Sequence, residues 1–434
     1  MIIQRDLLEK IKPFLNRQEY ISITGPRQTG KTTFLGLLKD CLVNNLKADK
    51  GAVHNVTFED RKLLIQFEAE PVSFVRSYCP LVPGKIQYLM IDEFQYAEEG
   101  GQKLKLIYDT MKDIKIIITG SSSLDIKAQV GKYMVGRILA FNIYPFSFGE
   151  FLRAKDARAE RIYRQKSAEV LVWLFEDRQA AREKGEDAFA GELNSHYEEF
   201  CVWGGYPAVV LCADRNERHK VLNDLYSNYI LRDIKGLLEL ATEKELLSLS
   251  RILAAQAGSL VSYQGLSQAT GLDYRQLKKH LNILQETFIT GEIRPFFRNR
   301  QKELTKNPKI FFLDPGFRNN LMENMNGLEK RPDSGAVVEN AVFIRLNGLR
   351  RDGDRINFWR TKAGAEVDFI FHLKGKEIPV EVKFSRFEGA KISRSYASFI
   401  SSYDPAKGII LTKNYRGLEK RGSTEIAFVP ACCF

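Results

Sequence analysis

Long apolar runs are missing from this 434-residue chain, and none approaches the ~18 residues that a membrane-spanning helix needs. No membrane partner is therefore expected. Cysteine is scarce as well. The six present (Cys41, Cys79, Cys201, Cys212, Cys432 and Cys433) form no CxxC pair and have no histidine pattern beside them, which argues against zinc ligands and against a disulfide framework. They read as buried thiols of a reducing compartment. The opening stretch "MIIQRDLLEKIKPFL" reads as an amphipathic helix broken by acids and bases, without the apolar core or cleavage site of a signal peptide. The expected location is the cytoplasm.

What the chain does have is an ordinary globular composition, 44% hydrophobic and 27% charged. Its length suits about three domains. Basic residues outnumber acidic ones, 65 to 54, for a net charge of +11. Such a surplus suits a polyanion such as nucleic acid and equally suits a solvated surface, so charge alone does not choose.

The strongest signal is "ISITGPRQTGKTTFLGLL", residues 21–38. Ile21 and Ile23 alternate with polar residues as in a short strand, whereas Phe34, Leu35, Leu37 and Leu38 follow helical spacing. Between them, Gly25, Pro26, Arg27, Gln28, Thr29, Gly30, Lys31 and Thr32 fit GxxxxGK[ST] at every fixed position, and Thr33 continues the helix. Glycines let successive backbone N–H groups converge on phosphate oxygens, and a helix N-terminus adds positive potential. Lys31 is expected to reach the outer phosphates and the Thr32 hydroxyl to ligate magnesium, so ATP with Mg2+ is the expected cofactor.

"QYLMIDEFQYA", 87–97, is an apolar strand ending in Asp92 and Glu93. Acids at the carboxyl end of a core strand suit a metal and a water molecule: Asp92 is expected to hold magnesium through water, and Glu93 to polarise the attacking water. In "IKIIITGSSSLD", 114–125, hydroxyls appear where a third core strand ends. Ser121, with Ser122 behind it, is the candidate for sensing the γ-phosphate and orienting water; a serine-rich turn is the alternative. "VHNVTFED" (53–60) and "RILAFNIYPFSF" (137–148) bring the β units to about five, with helical stretches between them. The fold class is α/β, with a parallel sheet covered by helices on both faces. Arg137, just before the last strand, reads either as a solvated surface charge or as an arginine that projects into a neighbouring subunit's phosphate site.

This order of motifs resembles the AAA+ superfamily. "GPRQTGKTT", "YLMIDEFQ", "IIITGSSS", "VGRILAFNIYPFSFGEF" and "WGGYPAVV" are similar to those of a prokaryotic AAA+ ATPase family. The resemblance implies an extra strand between the Walker A and Walker B strands. It also implies a homo-oligomer in which Arg137 acts on a neighbour's nucleotide, and a C-terminal domain similar to PD-(D/E)XK nucleases. Serine at 121 departs from the asparagine common at the AAA+ sensing position.

Residues 151–200 are charge-rich, with Val170, Trp173 and Leu174 at helical spacing, and read as helices of a lid or insertion behind the nucleotide. Gly204, Gly205 and Pro207 mark a sharp turn. Further on, Arg232 stands either as a lid residue facing the nucleotide or as a surface arginine. From 243 the pattern becomes helix, helix, turn at Thr270 and Gly271, and helix, the spacing of a helix-turn-helix. Leu277, Leu281 and Leu284 form an inward stripe, and Arg275, Lys278, Lys279 and Asn282 point outward. Residues 288–314 read as two strands joined by a basic loop with Arg298, Arg300, Lys302 and Lys306, completing a winged helix. These basic residues suit DNA phosphates, and packing between domains is the alternative.

In "GAVVENAVFIRL", Glu339 falls on the apolar stripe of a helix, with Val342, Phe343 and Leu346 as neighbours. "AEVDFIF" is a strand carrying Asp368, and "KEIPVEVKFS" is one carrying Glu381 and Lys383 on the same face. Helix, strand and strand bearing E, D and ExK resemble a PD-(D/E)XK nuclease core. There the acids bind magnesium or manganese and the lysine orients water. The expected division is 1–150, P-loop AAA+ ATPase core; 151–242, helical lid; 243–330, winged helix-turn-helix; and 331–434, nuclease-like α/β domain. Two classes of function follow: a DNA-handling ATPase, or a nucleotide-controlled switch or scaffold whose C-terminal acids are structural.

Overall fold

The computed structural model describes residues 2–80, 82, 84–121, 130–176, 184–228 and 243–434. Ser122 and Arg232 lie outside the described residues, as do the side chains of Arg300 and Lys302. The chain divides into two compact units, Met1–Pro145 with Glu286–Ile289, and Phe146–Gln285 with Thr290–Phe434. Among the described residues no helix is long and apolar enough to cross a membrane. All six cysteines are free thiols, and all but Cys212 are buried.

The first unit is built on β1 (Tyr20–Thr24), β2 (Val53–Thr57), β3 (Gln87–Asp92), β4 (Ile114–Gly120) and β5 (Ile138–Asn142), in the order β2-β3-β4-β1-β5. Every pairing is parallel. The extra strand expected between the Walker strands is β4, which separates β1 from β3. Residues of β1, β3 and β4 are buried throughout, whereas the edge strands β2 and β5 alternate with exposed positions. Strand period 2 divides the apolar side chains between two cores. Leu89, Ile91, Ile116 and Ile118 enter one, and Tyr88, Met90, Ile117, Ile21 and Ile23 enter the other with Phe34 and Leu38 of the helix Lys31–Asp40. Apolar runs in the sequence are thus the mark of a sheet covered on both faces.

The second unit carries a nine-stranded sheet. Its strands are β6 (Gly185–Glu186), β7 (Thr290–Pro295), β8 (Lys309–Phe312), β9 (Arg355–Arg360), β10 (Glu366–Leu373), β11 (Lys376–Val382), β12 (Lys407–Thr412), β13 (Tyr415–Arg421) and β14 (Thr424–Pro430). They lie in the order β6-β13-β14-β12-β11-β10-β9-β7-β8. Strands β7 and β8 pair antiparallel, and β7 then pairs parallel with β9, so one sheet runs across the expected 330/331 boundary. The basic segment between β7 and β8, expected as a loop, contains the helix Arg300–Thr305. Asn299 starts it by accepting the Gln301 N–H, and the polar straight-chain residues that follow favour a helix. The helix Ala157–Glu176 packs on the same sheet: Arg416 Nη1 bonds Glu169 at 2.7 Å, and Lys407 Nζ donates to the Trp173 carbonyl at 2.6 Å.

The turn at Gly204 and Gly205 has its own partner. Buried Asp314 caps the helix Pro315–Leu321 through the Phe317 N–H at 2.8 Å and accepts the Gly205 N–H at 2.7 Å. Burial pushes the Asp314 carboxyl up to about 6, against the pull of these backbone donors.

Candidate functional site

A phosphate cradle is assembled where β1 ends. Gly25 passes so close to the chain at Ile143 that a Cβ there would lie 2.0 Å from the Ile143 carbonyl oxygen. Gly30, at φ +87°, makes the left-handed turn that starts the helix Lys31–Asp40. The buried Lys31 ammonium donates to the carbonyls of Gly25 and Pro26, both at 3.0 Å, which holds it over the loop. Buried Arg5 braces the loop from behind, donating to the carbonyls of Thr29 at 2.8 Å and Tyr144 at 2.6 Å.

Parallel pairing brings the acids to the same end of the sheet. Thr32 Oγ1 donates to Asp92 Oδ2 at 2.6 Å, and Thr119 Oγ1 donates to Asp92 Oδ1. Thr32 and Asp92 are the residues here that could hold a magnesium ion, and both side-chain donors to Asp92 are neutral hydroxyls. Glu93 adopts a left-handed backbone, φ 53° and ψ 45°, uncommon for a residue with a side chain. Its Oε2 accepts from Ser121 Oγ at 3.1 Å and from Gln95 Nε2, while its N–H reaches Thr119 Oγ1 at 3.3 Å. Thr32, Asp92, Thr119, Glu93 and Ser121 are thus joined by hydrogen bonds, and Lys31 precedes Thr32 in the chain. Sequence reasoning passed over Arg5, Gln95 and Thr119. Only Thr119 carried a signal, as the last hydroxyl-bearing residue of an apolar strand.

Comparison with known proteins agrees with this geometry. Residues 17–152 match a family described as an AAA domain. The first unit has the P-loop AAA+ ATPase fold. Residues 194–329 and 334–434 match two further families, described as Domain of unknown function (DUF8612) and Domain of unknown function (DUF4143). An uncharacterized protein of Haemophilus influenzae is 24% identical over 440 residues, spanning 99% of this chain and 98% of its own. Another, from Methanocaldococcus jannaschii, is 24% identical over 434 residues, covering 96% of this chain and 87% of its own. Among solved structures, the Walker-type ATPase of Pyrococcus abyssi is 16% identical with a TM-score of 0.41, covering 74% of this chain and 96% of that one. The ORC2 protein of Aeropyrum pernix is 12% identical with a TM-score of 0.33, covering 74% and 93%.

Within the AAA+ unit, Arg137 sits at the amino end of β5. Its carbonyl accepts the Tyr20 N–H at 2.8 Å at the start of β1, whereas the cradle begins after Thr24. Five strand residues, roughly 15 Å, separate the two ends. The guanidinium lies 3.5 Å from Asp109 and 5.8 Å from the Tyr108 ring centre, partly exposed.

The C-terminal acids meet two ammonium groups. Lys309 Nζ of β8, 2% exposed, lies 2.6 Å from Glu366 and 3.3 Å from Glu339 of the helix Ser334–Leu349. Lys383 Nζ lies 3.0 Å from Glu381, whose other oxygen accepts from Ser393 Oγ at 2.9 Å. A bulge in β10 between Val367 and Ile370 re-aims Asp368, which accepts the Val382 N–H at 2.7 Å. Burial pushes Glu339 up to about 8 and raises Asp368 as well. Burial works to lower Lys309, but Glu339 and Glu366 outweigh it and hold the ammonium above its ordinary range. Glu339, Asp368, Glu381 and Lys383 are brought into one neighbourhood. Among the described residues, however, no three His, Cys, Asp or Glu side chains are grouped to hold a metal ion. Lys309 and Glu366 were not singled out from the sequence. The signals were a lysine opening the apolar run "KIFF", and a glutamate two residues before Asp368.

On the helix Tyr274–Glu286, Leu277, Leu281 and Leu284 are buried, while Arg275, Lys278, Lys279 and Asn282 are exposed. Tyr274, 57% exposed, lies under the Lys278 ammonium at 4.8 Å. Arg298 is exposed, and its guanidinium lies 5.3 Å from the Tyr403 ring centre of the helix Arg394–Tyr403.

Proposed function

We propose that this chain is an ATP-hydrolysing AAA+ protein that binds DNA. The observation that carries the ATPase reading is the hydrogen-bonded series Thr32, Asp92 and Thr119, with Glu93 beside it and held by Ser121. In this reading the P-loop N–H groups and Lys31 bind the triphosphate of ATP, and Thr32 and Asp92 hold Mg2+. That ion offsets charge on the phosphates. Glu93 orients water in line with the γ-phosphate and takes its proton, and Ser121 fixes the carboxylate's direction.

For DNA, the supporting observation is the outward face of Tyr274, Arg275, Lys278, Lys279 and Asn282, where cations and an aromatic ring lie on one helix side. Arg298, Arg300 and Lys302 are assigned to the same footprint as a wing. Arg137 stands at the far end of β5 from its own cradle, which favours a role in a homo-oligomer, on a neighbour's nucleotide. The test is ATP turnover of the purified chain with and without DNA, across a range of protein concentration. Stimulation by DNA and a rise in turnover per subunit with concentration are expected. Slow turnover indifferent to both selects the switch or scaffold reading instead.

A further inference from the structure

The carboxylates of the C-terminal sheet do not fit a divalent ion, and the reason is a side chain from the segment before them. A magnesium or manganese site needs carboxylate oxygens converging at roughly 2.0–2.6 Å on one point. Here an ammonium group lies against two of the acids instead. Lys309 is fully enclosed, 2.6 Å from Glu366, 3.3 Å from Glu339, and 5.3 Å from the Phe358 ring centre. The remaining acids are also satisfied without metal. Lys383 takes Glu381, the Val382 N–H takes Asp368, and Arg360 takes the second oxygen of Glu366 at 2.8 Å.

We propose that Lys309 is the built-in cation of this acidic cluster, replacing a divalent metal and making the nuclease-like fold a non-cleaving module. The placement has a structural consequence. Lys309 belongs to β8, at the edge of the nine-stranded sheet, while Glu366 and Asp368 belong to β10 and Glu339 to the helix Ser334–Leu349. The Lys309–Glu366 ion pair and the Lys309–Glu339 contact therefore fasten the hairpin β7–β8 to the C-terminal elements, across two strands and without a removable ligand. A DNA-contacting segment anchored in this way moves with the sheet as one piece. The inference stands on the cluster's geometry and does not depend on the ATPase reading.

Titration of the full-length chain with Mn2+ tests it, in a Thr32→Ala background without nucleotide so that the P-loop contributes no site. Electron paramagnetic resonance reads the free ion directly. No Mn2+ is expected to be sequestered up to millimolar concentration, and no Mn2+-dependent cleavage of single- or double-stranded DNA is expected. One ion bound per chain and lost in Asp368→Asn, or cleavage lost in Asp368→Asn, overturns the proposal.

The complementary arm removes the lysine. Lys309→Met leaves buried acids unpaired and is expected to lower the melting temperature by roughly 10 °C, with part of the loss restored by Mn2+. Adding Glu339→Gln to it should recover stability without metal. If Lys309→Met melts like wild type, or the double variant is no better than the single, Lys309 is not the cluster's cation. Should Lys309→Met alone fail to fold, the wild-type titration and the double variant still decide the matter.

Discussion

Two sets of carboxylates in this chain are held in opposite ways. Asp92 and Glu93 of the AAA+ unit are oriented by Thr32, Thr119, Ser121 and Gln95, all neutral donors. Glu366, Glu339 and Glu381 of the second unit are met by the ammonium groups of Lys309 and Lys383. A hydroxyl fixes the direction of a carboxylate and leaves its charge available to a cation or to water. An ammonium fixes the direction and cancels the charge. Carboxylates are thus left open to a cation or to water in one unit and are met by ammonium groups in the other.

The largest expected effect breaks the comparison on one side only. Glu93→Gln keeps the shape of the side chain and loses the base, so ATP turnover should fall at least ~100-fold while nucleotide remains bound. Lys31→Ala should abolish tight ATP binding. Asp368→Asn, in the second unit, should leave turnover at the wild-type rate. Steady-state phosphate release and nucleotide affinity, measured on the three proteins together, check this contrast. Normal turnover by Glu93→Gln would remove the catalytic assignment from the first set.

Asp314 sharpens the comparison as a third way of holding an acid, by backbone N–H groups in a buried place. Its folded pKa, about 6, lies above the ordinary value of 3.8, so the folded chain retains this proton in a window where the unfolded chain has released it. Stability from this group is fully present below about pH 4 and is lost as pH rises through about 6, by about 3 kcal/mol in all. Denaturant melts from pH 4 to 7 should therefore differ in slope between wild type and Asp314→Asn. The variant should lack this component even where it lowers stability overall. Parallel profiles would deny the shift.

How much of this was legible in the sequence depends on the range of the signal. The AAA+ unit was read closely because its site is local: a glycine-rich turn between strand and helix, then acids and hydroxyls at the ends of apolar strands. Glu339, Asp368, Glu381 and Lys383 were also found, from helical and strand periodicity. Their contact with Lys309 was not, because that lysine lies on another strand and carries no motif. A lysine that begins an apolar strand looks like a surface residue until the sheet order places it among acids. Sheet order also explains the shared nine strands. Pairing of β7 with β9 links segments 60 residues apart, roughly, and leaves no mark in local pattern.

Lysines outside the sheet offer the converse of Lys309. Reversing Arg275, Lys278 and Lys279 to glutamate changes exposed cations that contribute little to packing, so the fold should persist. DNA binding should weaken at least ~10-fold near physiological salt, and its log–log salt slope should flatten by roughly 0.9 for each phosphate no longer neutralised. Fluorescence anisotropy at several salt concentrations checks both. An unchanged slope would move DNA binding away from this helix.

The smallest expected effect probes the neutral donors of the first set. Among the described residues, Ser121 Oγ is one of two side-chain groups on Glu93 Oε2, the other being Gln95. Ser121→Ala removes one hydrogen bond to a charged acceptor and keeps the other, a loss of about 1.5 kcal/mol, which is about tenfold in rate if the bond holds Glu93 during hydrolysis. Nucleotide affinity should barely change, because Ser121 acts through Glu93 and not on the phosphates. The conservative test is Ser121→Asn, which offers an N–H donor from a slightly longer side chain and should recover turnover above the alanine variant. A hydroxyl that only completes a serine-rich turn would behave otherwise: both variants would turn over ATP at the wild-type rate, and Gln95 alone would carry the orientation of Glu93.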